Sequence, residues 1–347
     1  MSEITAKAGP PRWPVSLLTG MLGSGKTTLL RRLLVDPALR GTAVLINEIG
    51  EIGLDHHLVE HIDGETVLLR SGCLCCTLRA DLPQTLNALR QRWRTTTLDL
   101  RRVVIETTGL ADPGPILVQL ATNPLIADDF PFTSVVTTVD AQHATTQLAS
   151  RSEARRQIAV ADHIVLTKTD LVDIGTRLGV ERAVRRLNPT AAITSPDATT
   201  AELFLGGDGA RAASIRAWAG DATPCPADLI VPVGLHHHHH HDDIVTLSLR
   251  AETALDWPAV HQCLAAIVDE FAPDLLRLKG IIDVVGSDRP VVLHAVHDAF
   301  YPLEQLAAWP DADHRSRLVL IVDALGTRRI RLLNLATSTG IDWRRVV

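Results

Sequence analysis

A glycine-rich loop joining an apolar run to an amphipathic helix limits the fold of this chain more than any other feature. Val15-Ser16-Leu17-Leu18 leads into Gly20-Met21-Leu22-Gly23-Ser24-Gly25-Lys26-Thr27, and Thr28-Leu29-Leu30-Arg31-Arg32-Leu33-Leu34 continues with helical spacing. Glycines in such a loop let the backbone curl so that successive N–H groups converge on phosphate oxygens at a helix N-terminus. On that reading Gly23, Ser24, Gly25, Lys26, Thr27 and Thr28 line a phosphate site. Lys26 reaches the terminal phosphates, and the Thr27 hydroxyl ligates magnesium. Strand, loop and helix in this order imply an α/β fold of the P-loop NTPase type, with a mostly parallel sheet flanked by helices.

The rest of the chain supports two domains. Short β-branched runs near 15–20, 42–47, 65–70, 101–106, 134–139, 163–168 and 191–195 alternate with helical stretches near 26–36, 79–94, 114–121, 151–160 and 177–187. In such a sheet the loops leaving the carboxyl ends of the strands build the site. Residues 1–14 read as a polar tail, 15–198 as the nucleotide domain, and 199–243 as a connector marked by Gly206-Gly207-Asp208-Gly209, Pro224, Pro226 and a histidine run. From 244 to 347, strands near 244–249, 275–285, 291–296 and 317–322 and a helix near 257–271 predict a smaller α+β domain with an antiparallel sheet.

At 347 residues the chain is long enough for two cores. A net charge of −6 gives no electrostatic footprint for nucleic acid or an anionic membrane. The sequence has no apolar run of about 18 residues, so a cytoplasmic location is expected. Of the 34 basic residues only Lys7, Lys26, Lys168 and Lys279 are lysine. Two of the four fall in nucleotide motifs, where a compact ammonium does what a wide guanidinium cannot. Lys279 is open to the same reading or to chance.

Further motifs fall at the expected strand ends. Glu106-Thr107-Thr108-Gly109 follows strand 101–106, where Glu106 would face the magnesium shell or a nucleophilic water and Gly109 the γ-phosphate. A strand-end glutamate facing solvent is the plainer alternative. Thr167-Lys168-Thr169-Asp170 resembles the N-K-x-D element that selects guanine, with threonine in place of asparagine. There Asp170 would accept from guanine N1–H and the exocyclic amine, and a carboxylate left unpaired by the wrong base makes such a site discriminating. Ser195 lies where a backbone contact to the base is expected. Asn47-Glu48-Ile49-Gly50-Glu51-Ile52-Gly53-Leu54-Asp55 has the place of a loop that orders around γ-phosphate and magnesium, with Glu48 as a candidate catalytic residue. Glu51 and Asp55 are open to ligation or simple solvation.

Three thiols in four positions, Cys73, Cys75 and Cys76, follow strand 65–70. In a reducing compartment they read as a metal site or a redox pair rather than a disulfide framework. Thiolates suit zinc and also bind cobalt, copper(I) or nickel. An extended backbone puts Cys73 and Cys75 on one side and Cys76 on the other, so one ion takes all three only if the segment turns. His236, His237, His238, His239, His240 and His241 form an internal tract open to two readings, a native weak metal-gathering run or an inserted tag, and the native one is favoured by its interior position. His56, His57 and His61 are further candidates near the thiols.

Together Gly20 to Thr27, Asn47 to Asp55, Gly72 to Cys76, Glu106 to Pro113 and Thr167 to Asp170 resemble the CobW-like family of P-loop metal-chaperone GTPases. The histidine-rich connector and Leu276-Arg277-Leu278-Lys279-Gly280 extend the likeness across nearly the whole chain. The resemblance implies GTP and magnesium as nucleotide and cofactor, zinc or cobalt as the carried ion, and a client metalloprotein or cobalamin-pathway protein as partner. It leaves a nucleotide-dependent homodimer open. Two rival readings are a non-enzymatic metal buffer built on the cysteines and histidines, and a P-loop kinase.

Overall fold

The computed structural model describes residues 12–47, 59–62, 66–71, 78–95, 99–205, 244–272, 274–323 and 341–345. The first sheet contains β1 (Val15–Gly20), β2 (Thr42–Asn47), β3 (Val59–Ile62), β4 (Thr66–Ser71), β5 (Arg102–Glu106), β6 (Phe132–Asp140), β7 (His163–Thr167) and β8 (Ala192–Thr194). They run in the order β3-β4-β2-β5-β1-β6-β7-β8. All pairs are parallel except β3 with β4. Every residue of β1 and β5 is buried, as a sheet covered on both faces requires.

The period of two distributes these strands between two cores. Val15, Leu17, Ala43, Leu45, Val103 and Ile105 pack on one face with α2 (Leu78–Thr95) and α3 (Gly114–Thr122). Leu18, Val44 and Val104 pack on the other with Leu29, Leu30 and Leu33 of α1 (Lys26–Leu34). The chain continues through α4 (Ala144–Ser150), α5 (Ser152–Ala159), α6 (Ile174–Leu187) and α7 (Glu202–Leu205).

Three features depart from the sequence reading. Strand β3 went unrecognised because four residues containing Glu60 and His61 carry almost no apolar pattern, and it pairs on one side only. Helix α4, Ala-Thr-Thr-Gln-Leu-Ala-Ser, is too polar to show a helical period. The connector expected from residue 199 does not begin there: Thr199, Ala201 and Phe204 are buried, Phe204 joins the α1 core, and Ser134 Oγ donates to Leu203 O at 3.0 Å. An aromatic anchor thus keeps 199–205 on the first sheet, while 206–243 lie outside the described residues.

The second sheet is antiparallel: β9 (Ile244–Ala251), β10 (Leu275–Ile282), β11 (Val291–Val296), β12 (Ala299–Phe300), β13 (Glu304–Gln305), β14 (Ser316–Asp323) and β15 (Arg344–Arg345). Its order is β12-β11-β10-β14-β9-β15, with β13 against β11. Helix α8 (Trp257–Phe271) covers one face through Val260, Cys263, Leu264, Ile267 and Phe271. The other face packs on the first domain, where Val296, Val319 and Ile321 share a core with Ile116, Leu117 and Leu120 of α3. That double covering explains why all eight residues of β10 are buried.

Charge is buried in the same interface. Asp162, in the turn before β7, takes Val135 N–H on Oδ2 at 2.9 Å and meets the Arg277 guanidinium and, at 2.8 Å, Lys279 Nζ on Oδ1. Lys279 is fully buried and Arg277 is 2% exposed. Burial by itself would raise the Asp162 carboxyl, but the charges of Arg277 and Lys279 hold it far below the usual carboxylate range. Burial likewise pushes the Lys279 ammonium down to about 8 against the pull of Asp162. The lysine that sequence left unexplained is therefore an ion-pair partner that joins two domains.

Next to it, burial lowers His163 from 6.5 to about 4, with Asp162 opposing and Lys279 adding to the shift. A base whose folded pKa is depressed leaves the unfolded state binding the extra proton between the two values. Stability should therefore fall as pH drops from about 6.5 toward about 4. Urea midpoints measured across that range should show this slope, and His163→Asn should flatten it.

Candidate functional site

The strands of the first sheet end together. Leu18 and Ile46 are both in register with Glu106, Asn47 with Ser71, Gly20 with Thr138, and Asp140 with Thr167. The carboxyl ends of β4, β2, β5, β1, β6 and β7 therefore share one edge.

The loop after β1 is built by close approach. A Cβ on Gly20 would lie 2.4 Å from Thr138 O, and Gly25 takes a left-handed φ of 93° as the N-cap of α1 with no side-chain cap. The first N–H groups of α1 thus face the loop rather than a capping side chain. Ser24 is buried, with its Oγ 2.6 Å from Thr138 Oγ1, while Gly23 and Thr28 are exposed. Lys26 is 7% exposed and its Nζ donates to Gly20 O at 2.9 Å and Met21 O at 3.1 Å. Burial lowers its pKa, and the Glu106 carboxylate opposes that shift.

Thr27 Oγ1 donates to Glu106 Oε1 at 2.6 Å, so the two residues singled out for magnesium are adjacent. Glu106 is buried, which removes the solvent-facing alternative. The segment after it is fastened twice. Thr107 Oγ1 donates to Thr19 Oγ1 at 2.8 Å, and a Cβ on Gly109 would fall 2.3 Å from Leu22 N. From α5, Gln157 Nε2 donates to Gly109 O at 3.2 Å and Ala111 O at 3.1 Å.

On the other side of the loop, Thr167 Oγ1 donates to Ser24 O at 2.8 Å and Val139 O at 3.2 Å. The threonine that stands in place of asparagine thus ties the Thr167–Asp170 turn to the loop after β1. Lys168 has a left-handed φ of 54° and its Nζ donates to Asp140 Oδ2 at 2.6 Å. Asp170 follows in an exposed turn. Ser195 is half-buried and its carbonyl accepts from Thr199 Oγ1 at 2.7 Å.

The metal candidates are not brought together in this way. Glu48, Glu51, Asp55, His56, His57, Cys73, Cys75, Cys76 and His236 to His241 lie outside the described residues, as does the side chain of His61. Among the described residues no group of three His, Cys, Asp or Glu is arranged to hold a metal ion. What is placed is the point of departure: β2 ends at Asn47 and β4 at Ser71, on neighbouring strands, with β5 and Glu106 next to β2. Neighbouring strands lie about 5 Å apart. Among the described residues, too, no helix is long and apolar enough to cross a membrane. Sequence reasoning passed over Asp140 and Gln157; an acidic residue closing strand 134–139 was the signal for the first, and nothing local marks the second.

The family profile described as CobW/HypB/UreG, nucleotide-binding domain, matches residues 14–195, more than half of the chain. The chain belongs to the CobW/HypB/UreG family. A second profile, the cobalamin synthesis protein CobW C-terminal domain, matches residues 244–334 of this CobW-family protein. It is 29% identical over 320 residues to the zinc chaperone YjiA of Escherichia coli strain K12, covering 91% of this chain and 96% of that protein. It is 30% identical over 360 residues to the zinc chaperone CobW of a Sinorhizobium species, covering 91% and 94%. Among solved structures, the Zn(II)-bound YjiA GTPase from E. coli superposes with a TM-score of 0.67 at 25% identity, over 93% of this chain and 98% of that one.

Proposed function

We propose that this CobW-family protein hydrolyses GTP and uses the nucleotide to gate a transition-metal site from which an ion, zinc before cobalt, passes to a client protein in the cytoplasm. The observation that carries the reading is the shared edge. Glu106 at the end of β5, in contact with Thr27 at the start of α1 and close to Lys26, shares its sheet edge with β2, which neighbours β5, and with β4 beyond it, and these lead at Asn47 and Ser71 into the acidic loop and the C-x-C-C segment. The names of the relatives, zinc chaperones and a Zn(II)-bound GTPase, support zinc as the first candidate.

The roles follow from the chemistry of each group. The amides of Gly23 to Thr28 and the Lys26 ammonium bind the phosphates; partial desolvation lowers the lysine's pKa but strengthens the attraction of its charged form for a phosphate. The Thr27 hydroxyl and Glu106 carboxylate, two hard oxygen donors in contact, fit magnesium and would hold it directly or through water. When bound, magnesium neutralises charge on the β- and γ-phosphates. Glu106 or Glu48 orients the water that attacks the γ-phosphorus as the bond to the β-bridging oxygen breaks, and Gly109 N–H faces the γ-phosphate. Thr167, Lys168, Asp170 and Ser195 select guanine. Cys73, Cys75 and Cys76 hold the carried ion, and His236 to His241 gather ions weakly. The functional units are 15–198, the connector 199–243 and 244–347, with 199–205 packed on the first.

If GTP orders the Asn47 to Asp55 loop and with it the thiols, metal and GTP must tighten each other's binding by one common factor. A zinc titration against a competing chelator is expected to give tighter binding, by about tenfold or more, with a non-hydrolysable GTP analogue than with GDP. Equal affinities in the two states would sink the gating. Cys75→Ser with Cys76→Ser should abolish tight zinc binding while GTP affinity holds, which separates the cargo site from the nucleotide site.

A further inference from the structure

The residue that sequence passed over, Asp140, sits where the phosphate loop, the base-selecting turn and β6 converge. It closes β6 in register with Thr167, and Ala141 N donates to Thr167 O at 3.0 Å, so Asp140 and Lys168 face each other across adjacent strand ends. Asp140 is 3% exposed, and both carboxylate oxygens are engaged. Oδ1 accepts from Gln142 N at 2.9 Å, and Oδ2 accepts from Lys168 Nζ at 2.6 Å and from His143 Nδ1 at 2.9 Å. These donors outweigh its burial and keep the carboxyl below its ordinary range, so the group is an anion in the fold.

The partner is under strain. Lys168 and His297 are the non-glycine residues with positive φ among those described, and Lys168 at 54° is in a region a Cβ disfavours. Its backbone turns the chain from β7 into Thr169–Leu171, the turn that carries Asp170. A strained residue persists where its surroundings over-determine it. Here the tether on the side chain is a buried carboxylate at salt-bridge distance.

We infer that Asp140 is a positioning residue for base selection: by pairing with Lys168 it holds the left-handed turn that presents Asp170, and so sets how well guanine is told from other purines. This rests on the GTP reading above. A merely structural Asp140 would cap the turn into α4 through Gln142 N and have no bearing on the base.

Asp140→Asn separates the two, because it keeps an acceptor for Gln142 N and removes the charge that Lys168 meets. For the full-length protein the KM for GTP is expected to rise about tenfold to a hundredfold, the worth of one charge-assisted contact, with kcat within about twofold. The preference for GTP over ITP, which lacks the 2-amino group, should shrink alongside. Lys168→Met should reproduce both changes, and the double variant should be no worse than either single one. Unchanged KM and GTP/ITP ratio in Asp140→Asn, or fully additive effects in the double variant, would overturn the inference, even with a lowered melting temperature. A wild-type protein that prefers ATP overturns the guanine reading itself, and that is measured before any variant is made.

Discussion

Asp162→Ala is expected to destabilise the fold by about 3–5 kcal/mol, the usual result of breaking a buried ion pair from one side. The carboxylate lies 2.8 Å from Lys279 Nζ and against the Arg277 guanidinium, and both cations are almost wholly removed from solvent. Without it two positive charges share one face of β10 with no anion from Asp162, and Val135 N–H loses its acceptor. Asp162→Asn keeps an acceptor for Val135 but not the charge, so it should be nearly as harmful. Urea unfolding followed by tryptophan fluorescence measures both. Adding Lys279→Met to Asp162→Ala should recover part of the loss, since removing both ends of a buried pair costs less than removing one. A loss below about 1 kcal/mol for Asp162→Ala would mean that apolar contacts alone hold the two sheets together.

Lys26→Ala is expected to lower kcat/KM for GTP by about a thousandfold, equivalent to about 4 kcal/mol of transition-state stabilisation. The side chain does two things at once. Its Nζ bridges Gly20 O and Met21 O, bracing the curl of the loop, and its partly desolvated charge lies at the open N-terminus of α1, beside Glu106. Alanine removes both. Lys26→Arg should fail to restore activity, because a planar guanidinium is too wide for a space closed by two carbonyls and Gly20. The measurement is phosphate release under saturating and limiting GTP, with zinc binding to the same protein as a check on folding. Activity retained in Lys26→Ala would favour the metal-buffer reading and place any hydrolysis in a contaminant.

Local pattern made much of this architecture legible. Seven strands of the first sheet and the main strands of the second fall within a few residues of where β-branched runs place them, because burial on both faces demands long apolar stretches that few other structures need. Gly20, Gly25 and Gly109 stand where backbone meets backbone or φ turns positive, and that requirement shows in sequence as glycine. The Thr167 to Asp170 turn was legible in the same way, as a short motif at the end of β7.

What stayed hidden were pairings between distant positions. Period two tells which residues of β10 share a face; it does not say that Asp162, more than a hundred residues earlier, covers Arg277 on that face. Phe204 looked like part of a tether until β6 and α1 supplied its pocket. Asp140 carried no motif, and its meaning came from Lys168 reaching it across the sheet.

The sequence by itself determined the phosphate loop, the parallel order of elements and the identity of the thiol segment, since each depends on neighbours along the chain. Only the tertiary structure decided that Thr27 meets Glu106, that Asp140 restrains Lys168, and that a buried Lys279 joins the two domains. The physical reason is that a charge or hydroxyl taken out of water needs a specific partner within about 3 Å, and that partner is chosen by how strands and sheets stack, not by what precedes it in sequence.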